Sequence, residues 1–160
     1  MHHSRNLFFL FLLLLSTSAF SQVKIKEINF TGSTPCSEII NHFLSANENM
    51  NCDFTRWQVT FYFGNKKDSG TFKMYCNYGL SQPNTAGFIN GGSKKTITGT
   101  WKIAGTTTNV QGVIYRLSWN GSPVRLSFVN MENKLLHLLD EKDRMMIGNG
   151  GWGFTLNKTK

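Results

Sequence analysis

The sequence predicts an all-β chain, folded as an eight-stranded antiparallel up-and-down barrel with one short helix after the first strand. Three observations carry that prediction. Segments with apolar residues at every second position recur along the chain, as half-buried strands require. Clusters of Gly, Asn, Asp, Ser and Pro separate them at turn spacing. Eight such segments are present, enough to close a sheet on itself and leave no exposed edge.

Residues 1–21 stand apart from this pattern. They hold one arginine, an apolar run from Leu7 to Leu15, and the small residues Ala19 and Ser21 before Gln22. That order reads as a secretory signal peptide, too short in its apolar part to span a bilayer as a helix. Removing residues 1–21 from the 160 leaves 139, residues 22–160, a length suited to one domain with one core. The same cut lowers the formal charge from +8 to +7. We therefore expect an exported, periplasmic or extracellular protein with no transmembrane segment in its mature form.

The elements follow in order. Residues 23–30, VKIKEINF, supply the first strand. In 34–45, TPCSEIINHFLS, the period changes: Ile39, Ile40, Phe43 and Leu44 fall at helical spacing. Thr34 is placed to cap this helix and Pro35 to open it. Residues 57–63, WQVTFYF, set Trp57, Val59, Phe61 and Phe63 on one face, and 71–78, TFKMYCNY, do the same with Phe72, Met74, Cys76 and Tyr78.

A polar stretch over 79–95 has no regular period and reads as a surface excursion or a functional rim. Strands are then expected at 96–103, 112–119, 124–129 and 134–139, with 151–157 closing the chain. The acidic run Asp140-Glu141-Lys142-Asp143 reads as a solvated turn, since Lys142 and Arg144 interrupt any calcium-loop spacing.

Three cysteines occur in a chain expected to meet an oxidising compartment. Cys76 has inward strand parity and reads as a small apolar side chain. Cys36 and Cys52 bracket the helix, so we expect a disulfide between them, worth about 3 kcal/mol for a loop of that size.

No nucleophile elbow, zinc-protease helix, phosphate loop or dinucleotide fingerprint is present, and no catalytic residue, metal ligand set or cofactor is expected. His137 alternates between leucines and reads as a satisfied structural histidine. If a small apolar ligand enters the barrel, Trp57, Phe61, Phe72, Trp101 and Tyr115 combine large apolar area with inward parity and would line its path. The positive charge favours an anionic envelope component as the other class of partner, while export argues against nucleic acid.

Short motifs in TPCSEI (34–39), GTWKI (99–103), YRL (115–117), LLHLLDEKDRMMIG (135–148) and FTLN (154–157) resemble the N-terminal domain of NlpE-type copper-homeostasis lipoproteins. The closing portion is also similar to secreted proteins from Bacteroidetes. The resemblance implies a lipocalin-like barrel in the cell envelope, with a copper- or redox-responsive role as one alternative function. Two departures bear on that role: Ile39 stands where the family pattern has its second cysteine, and the lipid-bearing cysteine is missing. MYCNYG (74–79) faintly resembles an element of lysozyme inhibitors, which makes inhibition of an envelope enzyme a further alternative.

Overall fold

The computed structural model describes residues 25–44, 51–105, 111–120 and 125–159, so the expected signal peptide lies outside the described residues. Strands β1 (Lys26–Pro35), β2 (Phe54–Phe63), β3 (Ser69–Gly79), β4 (Ser93–Ala104), β5 (Val113–Ser118), β6 (Leu126–Met131), β7 (Leu135–Leu139) and β8 (Thr155–Lys158) form one closed barrel. Each strand pairs antiparallel with its neighbour in the chain, and β8 returns to β1. The expected fold is the fold found, with helix α1 (Glu38–Leu44) after the first strand.

Most element boundaries differ from expectation by a few residues, and two of the differences bear on the packing. Thr34 and Pro35 belong to β1, not to the helix. The Thr34 side chain points inward, where its hydroxyl accepts the Trp57 indole N–H at 2.8 Å, so it is not free to cap. Ser37 takes that place: its Oγ accepts from Ile40 N–H at 3.4 Å and its carbonyl from Asn41 N–H at 2.8 Å. At the other end of the chain, the glycine-rich residues before Thr155 are not strand, and β8 is four residues long.

Between β6 and β7 the chain reverses on Glu132 and Asn133, both with positive φ (52° and 56°). Lys134 N–H donates to the Met131 carbonyl at 3.0 Å. That mirror-image turn matches the twist of the flanking strands. The 79–92 stretch is also more ordered than an excursion: Ser81 bridges to Phe88, and a short 3-10 turn covers Ile89–Gly91.

The core follows strand parity. Phe30, Trp57, Met74, Leu117, Phe128 and Leu136 all face inward and are buried. Gly70 opposes Trp101, where a Cβ would strike the Tyr62 carbonyl at 2.0 Å and the indole at 2.8 Å. The missing side chain lets the Trp101 N–H reach that carbonyl at 3.2 Å.

Helix α1 lies over one end of the barrel with Ile40, Phe43 and Leu44 buried. The Phe43 ring sits 5.5 Å from Trp57 and 5.2 Å from Trp119. Lys95 Nζ donates to the Phe43 and Leu44 carbonyls at 3.3 and 2.8 Å, which ties the helix C-terminus to β4 and places positive charge at its negative end. No helix among the described residues is long and apolar enough to cross a membrane.

Candidate functional site

All five residues expected to line a ligand path lie in the buried core, and three of them meet ring to ring. Phe61 packs edge-on to Trp101 at 6.0 Å and lies 5.0 Å from Tyr115; Trp101 and Tyr115 are 5.1 Å apart. Trp57 and Phe72 are each only 1 % exposed. A side chain bordering a water-sized void would keep accessible surface there, yet Phe61, Met74, Cys76 and Trp101 keep none. Their polar handles are also used internally, with Tyr115 Oη accepting from Asn130 Nδ2 at 3.1 Å. These five side chains belong to one buried core cluster, and Phe72 also lines a groove along β3 and β4.

The disulfide joins Cys36 to Cys52 across a separation of 16 residues, with Cα atoms 5.8 Å apart. It ties the end of β1 to the approach to β2, beside the Cys36 N–H bond to the Asp53 carbonyl at 3.1 Å. Cys76 remains a buried free thiol. Burial pushes its pKa up to about 12 against the opposing influence of Lys95, so it carries a proton at neutral pH and is a poor nucleophile. Among the described residues no group of three or more His, Cys, Asp and Glu side chains is placed to hold a metal ion.

His137 is held at both ring nitrogens, by Thr155 Oγ1 at 2.7 Å on Nδ1 and by the Met146 carbonyl at 3.0 Å on Nε2. The carbonyl only accepts, so Nε2 carries the proton and Nδ1 accepts from the threonine. Burial lowers its pKa, and the bond to the carbonyl only partly offsets that.

The acidic run builds something a solvated turn does not imply. Asp140 Oδ1 accepts from the backbone N–H groups of Lys142 and Arg144 at 2.8 and 2.9 Å, and Oδ2 takes Arg144 Nε at 2.8 Å. Partial burial works against the charged carboxylate, but these bonds and the Arg144 charge outweigh it and hold Asp140 below its ordinary pKa. Asp143 sits at φ 56° and turns its carboxylate onto Arg116 of β5, with which it forms an ion pair.

This arrangement walls a cleft of about 720 Å³ on the outside of the barrel. Glu38, Ile39 and His42 of α1 form one side, Arg116, Arg125 and Ser127 the floor, and the 140–144 turn the other side. The Arg116 Nε is buried and has no hydrogen-bond partner, and the Arg125 and Lys142 side chains are exposed. The lining sets Arg116, Arg125, Lys142 and Arg144 against Glu38, Asp140, Glu141 and Asp143, with Arg116 paired to Asp143 and Arg144 to Asp140. A larger groove of about 830 Å³ along β3 and β4 is lined by Thr71, Thr96, Thr98 and Thr100 among other uncharged residues and has Lys73 as its one charged wall residue.

Two side-chain clusters were not evident from the strand pattern. Ile114, Val129 and Leu139 form a second small core on the outer face, next to the cleft. The segment after β7 folds back along it: Leu139 bridges to Met145, and Met146 N–H donates to the Leu138 carbonyl at 3.2 Å. Apolar residues at both parities of LLHLL were the available signal, because a strand covered on both faces loses its alternation. The second cluster is a stack of three rings, with Phe54 4.2 Å from Phe88 and 5.0 Å from Trp152.

The chain matches no protein-family model, no curated protein and no solved structure.

Proposed function

We propose that the protein is an exported, non-catalytic envelope binding module that takes an anionic envelope component in the cleft between α1, β5, β6 and the 140–144 turn. The observation carrying this reading is the group of Arg116, Arg125 and Lys142 on one cleft, with the Arg125 and Lys142 side chains exposed. Guanidinium groups suit carboxylate and phosphate because their donors are fixed in a plane that matches both acceptor groups. The cleft lies on the outer surface of the barrel, where a large polymeric partner can reach it. A disulfide suits an oxidising compartment, and the resemblance to envelope lipoproteins supports the same address. It does not favour the copper or redox alternative, because a Cys36 sulfur held in a disulfide is not a thiolate ligand.

Isothermal titration with an acidic envelope polysaccharide and a neutral one of similar length tests the proposal. Binding to the acidic polymer alone is expected, weakening as salt rises. Arg125→Ala, which removes one charged donor, is expected to weaken it about tenfold. Equal heats for both polymers, or an Arg125→Ala variant with unchanged affinity, would refute this function.

A further inference from the structure

The inward-facing stripe of the barrel does not end where the packed core ends. At the end opposite α1, Ile28, Phe63, Ile103 and Val113 continue the parity of the core into solvent. Ile103 is 40 % and Val113 41 % exposed, and Ile25, just before β1, is 62 % exposed. Phe63 packs against Trp101 at 4.7 Å, so this apolar surface is continuous with the core beneath it.

Four exposed lysines surround it. Lys26 pairs with Phe63 at the start of β1, Lys66 and Lys67 occupy the β2–β3 turn, and Lys102 stands beside Ser69 near the end of β4. Two carboxylates at this end, Glu27 and Asp68, oppose them, while Glu132 is matched by Lys134 at 3.7 Å. The lysines outnumber the unmatched acids by two.

We infer that this end of the barrel docks on an anionic lipid leaflet, with Ile25, Ile103 and Val113 entering the headgroup boundary and the four lysines meeting lipid phosphates. Projecting apolar side chains ringed by long basic ones are what an interfacial anchor requires. The apolar tips leave water, and each lysine keeps its ammonium at the level of the phosphates. A second copy of the chain fits less well, because a twofold contact would set the lysine rim against itself. The surface is separate from the Arg125 cleft, and this inference does not depend on that cleft's ligand.

Co-sedimentation of the processed chain, which retains all eight strands, with phosphatidylcholine vesicles and with vesicles that also contain phosphatidylglycerol tests it. Sedimentation with the anionic vesicles alone is expected. Removing two surface lysines in the Lys66→Ala/Lys67→Ala variant should weaken partition roughly 30-fold. Ile103→Ser should weaken it several-fold, while Arg125→Glu in the cleft should leave it intact. Circular dichroism of each variant reports whether the barrel has formed. No sedimentation with anionic vesicles, equal sedimentation with both compositions, or full binding by the double lysine variant would overturn the inference. So would a dimer in gel filtration that Ile103→Asp disperses, since that assigns the surface to a second copy.

Discussion

The carboxylate of Asp143 is paired with the guanidinium of Arg116, 27 residues earlier in the chain, and this contact fastens the turn after β7 to the outer face of β5. It fixes one wall of the cleft relative to its floor. The pair is only partly screened by solvent, with the Asp143 side chain 19 % and that of Arg116 35 % exposed. Asp143→Asn keeps the shape and removes the charge. We expect a loss of about 1 kcal/mol, discounted for that exposure, read as a lower urea midpoint with an unchanged slope.

The ring stack should matter more. Trp152→Ala removes one outer plate from Phe54 and releases the 148–153 segment from the 79–92 stretch. A loss of about 2 kcal/mol is expected, together with faster amide exchange in both segments and little change in β3 or β4.

Thiol reactivity separates the three cysteines. The native protein should react with none of a mild thiol reagent, and the unfolded protein with one equivalent, from Cys76. Reduction of Cys36–Cys52 should then lower stability by about 3 kcal/mol in the chain-entropy treatment. Three reactive thiols in the unreduced, unfolded chain would remove the structural disulfide from the account.

His137 should make stability depend on pH in one direction. Its folded pKa lies below the ordinary 6.5, so the unfolded chain binds a proton that the folded chain resists. The contribution is complete above about 6.5 and is lost as pH falls from there through the lower folded value. Urea midpoints measured down this range should fall for the native sequence, and His137→Gln should flatten that part of the profile.

Most of the barrel was legible because a strand with one face buried writes its parity into the chain. Trp57 through Phe63 and Phe72 through Tyr78 are cases of it, and the opposed loop-like settings of Cys36 and Cys52 pointed to their bond. Thr34-Pro35 misled because local capping chemistry and a buried partner compete for the same hydroxyl, and Trp57 wins it. The cleft was not legible for a different reason. Asp143 reads as a turn residue until the fold brings Arg116 to it, and no periodicity encodes a contact between an irregular turn and a distant strand. The same holds for Trp152, which alternation placed on a strand face and which instead covers Phe54 from outside.

The seam between β1 and β8 is the narrowest in the barrel, holding only the pairs Phe30 with Lys158 and Thr31 with Asn157, continued by Thr159 N–H to the Asn29 carbonyl at 2.9 Å. Gly32 lets β8 lie close just beyond it, since a Cβ there would sit 2.8 Å from Leu156 Cδ2. This seam joins the two ends of the chain, so parting it opens the cylinder without parting any two strands adjacent in sequence. The cylinder is in effect a rolled sheet fastened by a short latch. Parting the latch would bare the edges of β1 and β8, the two strand edges that closure of the barrel keeps from pairing with another chain.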